Sequence, residues 1–338
     1  MRRIVVVGGA SPLGRRVVER MRSLAWVESV RGVETRLPGS PRANASSPRA
    51  RRGRTERKAE ESVAIEIDVV PFVPDPRPLG EYLAKERIDT VVQCALVPDR
   101  SGLGAHAHEA DVIATMCLGA AIGQTGSLVR SWVLASSSAV YPLGSHAALI
   151  HDEFQAIARD EGTVAASIAE AEDYARESAH RLPHVDVAIL RLQQLAGRAV
   201  RGPLAALLAR DPVPSPLGFD PAIQLLHLED AADALIHAAH QELAGIYNVA
   251  SAGIVHWSEA LRAMERRALP LLPLGIGPFE PLLARLGLPV LPAELVDLLR
   301  FGHAIDTRKL ERAGWRPRYD QRSCLEALDA PGSGSPGT

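Results

Sequence analysis

The strongest constraint on the fold is a short apolar strand that runs into a glycine-rich turn and then into a helix. Residues Ile4 to Val7 are all apolar, and the turn spans Gly8 to Gly14. Apolar residues then recur at spacings of three and four as far as Leu24, which predicts an amphipathic helix. A glycine-rich turn between a strand and a helix is the context in which such a turn binds the pyrophosphate of a dinucleotide.

Each small residue of this turn has its own expected role. Gly8 allows the chain to turn tightly, and Gly14 lets the helix approach the strand. Ser11 stands where a further glycine is usual, and we expect its hydroxyl to be tolerated there and to donate to a phosphate. Pro12 and Leu13 start the helix, whose N-terminus offers unpaired N–H groups to an anion. These five residues are therefore predicted to contact the cofactor.

An acidic residue follows at the distance that a dinucleotide site requires. Glu34 comes twenty residues after Gly14, at the end of an alternating strand from Val27 to Val33. An acid at this place accepts hydrogen bonds from the adenosine ribose hydroxyls and would repel a 2′-phosphate. The sequence therefore predicts NAD as the cofactor, with NADP less favoured. The alternative is an ordinary βαβ unit with an exposed glutamate.

The composition is that of a globular protein with no general preference for nucleic acids or membranes. The chain has 338 residues, of which 46% are hydrophobic and 23% charged, and its net charge is −2. The three cysteines are far apart, and none has a metal-ligand or redox spacing. No apolar run is long enough to span a bilayer. We therefore expect a cytoplasmic protein without a metal site and without a nucleic-acid or membrane partner.

Strands alternate with helices through residues 1–191, which predicts an α/β fold with a Rossmann-type, doubly wound parallel sheet. Residues 38–62 form a basic, proline-containing insertion after the second strand and are expected to be mobile. Residues 192–330, dense in proline and leucine, are expected to form mainly a smaller C-terminal substrate lobe. Within them the strand 245–250 should return to the sheet, and residues 331–338 should form a disordered tail.

Parallel strands joined by right-handed crossovers end at one edge of the sheet, which is where ligands bind in such folds. The residues predicted to meet at this edge are Gly8, Glu34, Asp68, Ala95 and Ser137. The residues after the third and fourth strands that are predicted to contact the cofactor are Asp68, Val69, Cys94, Ala95 and Leu96.

In their order and spacing these segments resemble the extended short-chain dehydrogenase/reductase superfamily, in particular its NAD-dependent epimerase/dehydratase branch. The resemblance extends from Ile4 to about Leu328. A stretch around Pro216–Pro221, with Gln224 and His227, is more similar to one uncharacterised bacterial subgroup than to the sugar epimerases. The segments that carry the resemblance are the Gly8–Gly14 turn, Asp68, Val91–Ala95, Ser136–Tyr141, Leu190–Arg191 with Gly197, and Leu226–Ala231.

The resemblance also implies a catalytic set, and this chain lacks part of it. In such enzymes a tyrosine transfers the proton, a lysine four residues later lowers the pKa of that tyrosine and holds the nicotinamide ribose, and a serine polarises the substrate oxygen. Ser137, four residues before Tyr141, matches the serine. Val164 and Ile168 occupy the tyrosine and lysine positions, and neither can transfer a proton or carry a charge.

Two further departures from the family pattern and two further candidate sites concern polar residues. Gln93 and Gln194 replace the usual histidine and asparagine, and Gln194 with His227 is predicted to lie in the substrate lobe. His227 with Asp230 is compatible with a catalytic dyad or a metal ligand, but the family pattern and the apolar neighbours favour a structural hydrogen bond. The cluster His151–Glu153 contains metal-capable side chains, and a solvated loop is the preferred interpretation.

Two classes of function remain open at this point. The first is a non-catalytic or regulatory protein that binds a dinucleotide, which the loss of the tyrosine and lysine favours. The second is an NAD-dependent epimerase/dehydratase or oxidoreductase that acts on a sugar nucleotide or sterol-like alcohol with an atypical acid–base group. Ser137 and the full substrate lobe favour this second class, with Tyr141, Tyr174 or a lobe residue as the acid or base. The expected partners are the dinucleotide and an unknown small molecule, and a homodimer is a further expectation.

Overall fold

A computed structural model describes residues 1–34, 67–94, 104–160, 163–200, 202–271 and 293–329, with the backbone alone at 104–110, 271 and 293–294. The insertion predicted at 38–62, the tail predicted at 331–338, Ala95 and Leu96 lie outside the described residues.

Seven parallel strands form the central sheet, and every neighbouring pair in it is parallel. The order 3-2-1-4-5 around the first strand is that of a doubly wound dinucleotide-binding sheet, which confirms the predicted fold class. In spatial order the strands are β12 (Gly245–Val249), β7 (Asp186–Leu192), β5 (Ser131–Ser137), β4 (Thr90–Gln93), β1 (Arg2–Val7), β2 (Val27–Glu34) and β3 (Ile67–Val69).

Helices cover both faces of this sheet, so the central strands are apolar on both sides. One face carries α1 (Pro12–Met21) and α6 (Leu228–Gln241). The other face carries α2 (Arg77–Lys85), α3 (Gly104–Ile122) and α4 (Val164–Arg181).

A strand from late in the chain lies at one edge of the central sheet. β12 pairs with β7 in parallel register, so that Tyr247 lies beside Leu190. The chain also crosses back at other points that the sequence pattern did not reveal. α6 packs against α1 on the sheet, and Leu310 and Trp315 belong to the same apolar cluster. The described part of residues 192–330 is therefore shared between the sheet layer and a smaller lobe.

The smaller lobe has its own core, in which Trp257 is fully buried among leucines. Its short elements are β8 (Gln194–Ala196), α5 (Pro203–Leu208), β9 (Val213–Pro216), β10 (Ala222–Ile223), β11 (Leu225–His227), β13 (Val255–His256), α7 (Trp257–Ala263), β14 (Ala268–Leu271), α8 (Ala293–Phe301), β15 (Ala304–Ile305) and α10 (Gln321–Asp329). The helix between the last two, α9 (Arg308–Arg312), packs against β12 of the central sheet. Another two-residue strand, β6 (Ile150–His151), pairs with β15 and joins the segment after β5 to this lobe. None of the described helices combines the length and the apolar character needed to cross a membrane.

Candidate cofactor-binding and active site

The glycine turn between β1 and α1 is built for a close approach of the backbone. Gly8 has a φ of 84°, which favours glycine. A Cβ added at Gly14 would overlap the carbonyl oxygen of Gly8 and lie 3.0 Å from Cα of Gly9. Any side chain at Gly14 would therefore push α1 away from the turn, as the sequence predicted for this residue.

Ser11 supports the turn from within. Its hydroxyl donates to the carbonyl oxygen of Gly8 at 2.7 Å and accepts from the amide of Gly14 at 3.0 Å, which makes Ser11 the N-cap of α1. Because the single hydroxyl hydrogen is used inside the turn, donation from this hydroxyl to a phosphate does not fit the arrangement. The serine acts as a cap instead.

The first turn of α1 keeps a donor for an anion. Pro12 has no N–H, and the amides of Gly14 and Arg15 are bonded to Ser11. The amide of Leu13 has no acceptor among the described residues. An unpaired N–H at the positive end of a helix, beside a glycine turn, is the feature that binds a pyrophosphate. The residues present therefore fit the phosphates of a dinucleotide.

Glu34 lies directly beside this turn. One carboxylate oxygen accepts from the amide of Ala10 at 2.5 Å, so the acid orders the turn while its second oxygen makes no hydrogen bond within the described residues. Burial raises the pKa of Glu34, and the hydrogen bond from Ala10 opposes that rise. Glu34 is also aligned with Val69, which is 48% exposed at the end of β3. Glu34 and Val69 therefore lie side by side at the carboxyl ends of β2 and β3, and their contact with a cofactor stays a prediction.

Cys94 and Asp68, which are also predicted to contact the cofactor, are buried or hydrogen-bonded within the protein. Cys94 is buried at the end of β4, where its amide donates to the carbonyl of Val7 and burial, reinforced by Glu34, raises the pKa of its thiol. The carboxylate of Asp68 accepts from the hydroxyl of Tyr82 at 2.6 Å and from Arg31 at 3.4 Å. Asp68 therefore anchors α2 to β3, and its role toward a cofactor stays a prediction.

Ser137 and Gln194, predicted to serve catalysis and the substrate lobe, are brought together. Both line one cavity between the carboxyl ends of β5 and β7 and the helix α5. Ser137 is 4% exposed, and its oxygen accepts from the amide of Ala139 at 3.2 Å. Its hydroxyl hydrogen has no acceptor among the described residues. This hydroxyl is therefore available to a ligand.

The two positions that would hold a tyrosine and a lysine differ in their surroundings. Val164 is the first residue of α4, after the N-cap Thr163, and is 49% exposed. Ile168, one turn later, is 4% exposed and packs in an apolar cluster that contains Val140, Tyr141 and Ile305. An apolar side chain thus occupies this place as part of the core.

A buried polar network surrounds the end of β5, and sequence reasoning missed most of it. Glu172 on α4 accepts from the hydroxyl of Ser136 at 2.5 Å and forms a two-oxygen ion pair with Arg191, at 2.7 Å for the shortest contact. Both charged side chains are buried. Burial alone would lower the pKa of Arg191, but hydrogen bonds and charge from Glu172 raise it, so that Arg191 keeps its charge.

Tyr141 belongs to this network and is not free for proton transfer. Its hydroxyl donates to Oδ1 of Asn248 at 2.7 Å and accepts from Arg191 at 3.0 Å. Burial raises the pKa of this phenol, against the opposite effect of Arg191 and Asn248. The alternative in which Tyr141 acts as the acid or base would require the hydrogen bond from its hydroxyl to Asn248 to break.

Two histidines complete the cluster around Tyr141. The ring of His151 stacks on Tyr141, with centroids 4.8 Å apart, and His303 meets His151 edge-on at 5.5 Å. Burial lowers the pKa of both, and for His303 the neighbouring His151 helps to lower it to about 3. The sequence signal that could have revealed this network is the acid Glu172, four residues after Ile168 on the same buried face of the helix.

His227 has the structural role that the sequence favoured. Its Nδ1 accepts from the amide of Glu229 at 3.2 Å, which caps α6, and its ring stacks on Tyr319. Asp230 accepts from the hydroxyl of Ser251 and from the amide of Arg318. Among the described residues, no three metal-ligating side chains come together.

The sheet order and the glycine turn define a dinucleotide-binding protein of the Rossmann type. The chain belongs to the NAD-dependent epimerase/dehydratase family, whose model matches residues 4–250. This confirms the family that the sequence resembles and NAD as the cofactor of that family.

Relatives and solved structures agree with this assignment. An uncharacterised protein of Mycobacterium tuberculosis is 32% identical over 256 residues, which cover 74% of this chain and 67% of the relative. A putative epimerase from Burkholderia cenocepacia has a similar structure, with a TM-score of 0.67 and 22% identity, over 98% of this chain and 99% of that one. A dTDP-glucose 4,6-dehydratase from Bacillus anthracis, in complex with NAD, also has a similar structure. Its TM-score is 0.65 and its identity 16%, over 97% of this chain and 96% of that one. These structural similarities concern the fold.

Proposed function

We propose that this protein binds NAD(H) at the carboxyl edge of its sheet and acts as a binding or regulatory protein, without Tyr–Lys proton transfer. The turn from Gly8 to Gly14, with the amide of Leu13, would hold the pyrophosphate, and Glu34 would hold the adenosine ribose. When bound to an enzyme, NAD supplies hydride transfer. At the end of the proposed site that would hold the nicotinamide, Ile168 occupies the position at which the family has a lysine.

The observation that carries the proposal is the packing of Ile168. This side chain is 4% exposed among Val140, Tyr141 and Ile305, so its place is part of the core. Val164, at the tyrosine position, has no ionisable atom. General acid–base catalysis contributes about 10²–10⁴-fold to such reactions, and that contribution is missing when neither group is present.

The test combines binding with turnover. Calorimetric titration should show binding of NAD, and absorbance of NADH over a panel of secondary alcohols and sugar nucleotides should show negligible turnover. Robust turnover that survives Ser137→Ala would place the chemistry elsewhere and contradict the proposal. Absence of NAD binding would contradict it as well.

One observation favours an enzyme with an atypical acid or base as the second candidate. The hydroxyl of Ser137 is available and faces a cavity that also contains Gln194. Tyr141 is occupied by Arg191 and Asn248. Tyr174 lies about ten residues, or about 15 Å, further along α4 than Val164. Turnover that Ser137→Ala abolishes would support this candidate over the binding role.

A further inference from the structure

The junction between β6 and β15 attaches the segment after β5 to the smaller lobe through short strands. The amide of Ala304 donates to the carbonyl of Leu149 at 3.3 Å. The amide of Asp306 donates to the carbonyl of His151 at 2.8 Å. Apolar burial adds little here, since Leu149 and Ile150 are both about half exposed. A junction with few buried apolar contacts can open without unfolding of the sheet.

Two histidines are buried at this junction. His151 is 1% exposed and His303, which directly precedes β15, is 6% exposed. Their rings meet edge-on with centroids 5.5 Å apart, and both lie beside the ring of Tyr141. Nε2 of each histidine is buried without a hydrogen-bond partner in the described part of the chain. Because a buried polar atom without a partner costs free energy, opening of the junction would hydrate two such atoms.

The other nitrogen of each ring faces a carboxamide. Nδ1 of His151 lies 2.8 Å from Oε1 of Gln155. Nδ1 of His303 lies 3.5 Å from Nε2 of Gln193, whose Oε1 accepts from the hydroxyl of Ser138. Since the carboxamide nitrogen of Gln193 can only donate, Nδ1 of His303 accepts and carries no proton. A doubly protonated His303 therefore loses its contact with Gln193.

The charges around the pair do not favour an added proton on His303. The titratable side chains on the surrounding elements are Tyr141 after β5, Arg191 on β7, Asp152 and Glu153 after β6, and Asp306 after β15, while β10 and β12 contribute the uncharged Ile223 and Asn248. Arg191 donates to the hydroxyl of Tyr141, which places a positive charge near the rings. Glu153 accepts from the backbone amide of Asn248, and Asp306 is paired with Arg308. Asp152 raises the pKa of His151, but burial lowers that pKa by more.

Acid therefore acts on the open form of the junction. Burial, together with His151, lowers the pKa of His303 to about 3. Once the junction opens, both rings are in water, where a histidine titrates near 6.5. Below pH 6.5 the open form binds protons that the closed form excludes. The closed form is thus fully favoured above pH 6.5 and loses stability as the pH falls toward 3.

We propose that the junction of β6 with β15 is an acid-released latch, in which His151 and His303 keep the segment after β5 on the smaller lobe at neutral pH and release it in acid. Gln193 lines the cavity beside Ser137, so the release of His303 also frees an amide donor in that cavity. The latch consists of contacts within this chain and does not depend on the binding of NAD.

The test is hydrogen exchange of single amides in the full chain, corrected for the intrinsic exchange rate at each pH. The amides of Ala304 and Asp306 report on the junction, and the amide of Cys94, which donates to Val7 within the sheet, reports on global unfolding. We expect the junction amides to be less protected than the amide of Cys94 at every pH. Low concentrations of urea should leave their protection unchanged, because local opening exposes little surface.

The pH dependence gives the size of the effect. Between about pH 7.5 and 5.5 the opening constant of the junction should rise about tenfold through His303 alone, and further through His151. Equal protection of the junction amides and the amide of Cys94 would mean that the junction opens only when the whole protein unfolds. That result would overturn the proposal, as would an opening constant that does not change with pH.

Substitutions assign the pH dependence to the two histidines. His303→Asn keeps an acceptor for Gln193 and removes one titrating group, so the rise in the opening constant should shrink by about tenfold. His151→Asn keeps a donor for Gln155, should also reduce the rise, and remains informative if the first variant fails to fold. His146→Asn removes an exposed histidine from the same segment and, as the matched control, should retain the full rise. An equal rise in all three variants would overturn the proposal.

Discussion

At the scale of single residues, two small residues in the turn from Gly8 to Gly14 have different roles. Gly14 is required because a Cβ would overlap the carbonyl of Gly8. Ser11 is a cap, since its hydroxyl bonds to both Gly8 and Gly14. The two positions therefore differ in how much change they tolerate, although a sequence motif treats them alike.

Gly14→Val should abolish dinucleotide binding, because the branched side chain would force α1 away from the turn. Ser11→Gly should change NAD affinity little and stability by only a few tenths of a kcal/mol, since glycine is a tolerated N-cap. Calorimetric titration with NAD measures both variants. A loss of affinity in Ser11→Gly as large as that in Gly14→Val would contradict this assignment of roles.

Glu34 should determine the choice between NAD and NADP. Its charge would repel a 2′-phosphate, while one of its oxygens holds the amide of Ala10. Glu34→Gln keeps an oxygen for Ala10 and removes the charge, so the preference for NAD should shrink without loss of the turn. The measurement is parallel titration with both cofactors, with Glu34→Ala as the variant that loses both features. Tighter binding of NADP than of NAD by the unmodified protein would show the prediction to be wrong.

At the scale of elements, buried charge joins α4 to the sheet. Glu172 reaches from α4 to Ser136 on β5 and to Arg191 on β7. A second junction, between β6 and β15, brings His151 and His303 together against Tyr141. These contacts hold the end of β5, and with it Ser137, between the sheet and the smaller lobe.

Glu172→Ala should lower the free energy of unfolding by about 3–5 kcal/mol, because it leaves the charge of Arg191 buried and unpaired. Glu170→Ala removes an exposed glutamate from the same helix and should change stability by no more than about 0.5 kcal/mol. Urea unfolding measures both. A cost below about 1 kcal/mol for Glu172→Ala would contradict the importance given to the ion pair.

The histidine pair should make stability depend on pH. His303 has a pKa of about 3 in the folded protein, against 6.5 for an unperturbed histidine. The unfolded chain therefore binds a proton that the folded protein excludes. Stability from this group is complete above pH 6.5 and falls as the pH decreases toward 3. His151, whose pKa burial also lowers, acts in the same direction.

His303→Asn should flatten the decline in stability between about pH 6.5 and 5, a window above most carboxylate titrations. Asparagine can still accept from Gln193, so the local packing is kept as far as possible. Thermal unfolding across this window is the measurement, and His146→Asn, at an exposed histidine, is the control. The same slope in the unmodified protein and in His303→Asn would exclude His303 as the source.

At the scale of the whole molecule, one end of the proposed cofactor site keeps the residue types of the family and the other end does not. The phosphate and adenosine end retains the features of its family in Gly14, Leu13 and Glu34. At the nicotinamide end, Ile168 is part of a cluster that connects α4, the end of β5 and β15. A lysine at position 168 would therefore affect the stability of this cluster as well as the affinity for the cofactor.

The double change Val164→Tyr with Ile168→Lys should strengthen NAD binding, since it restores a cation and a phenol at the family positions. Ile168→Lys alone should lower the melting temperature without NAD, because its ammonium loses solvation in an apolar cluster. Saturating NAD should recover part of that loss. Ile157→Lys, in the same cluster but outside α4, is the control and should show no recovery beyond that of the unmodified protein. Equal recovery in both variants would mean that residue 168 does not face the cofactor.

Local patterns were sufficient for the sheet and for the placement of Glu34 beside the glycine turn. The apolar run before Gly8, the spacing to Glu34 and the strand at 245–250 each depend on neighbours in the chain or on a fixed crossover geometry. Such features can be read from a single sequence because the periodicity of a strand or helix determines which side chains share a face.

Only the tertiary structure decided what Ser11, Tyr141 and Ile168 do. The sequence allowed Ser11 to donate to a phosphate and Tyr141 to transfer a proton, but each hydroxyl is already hydrogen-bonded in the folded chain. The network of Glu172, Arg191 and His303 joins residues far apart in sequence. Hydrogen bonding and burial depend on which segments meet in space, and that meeting is a property of the assembled sheet and lobe rather than of any local pattern.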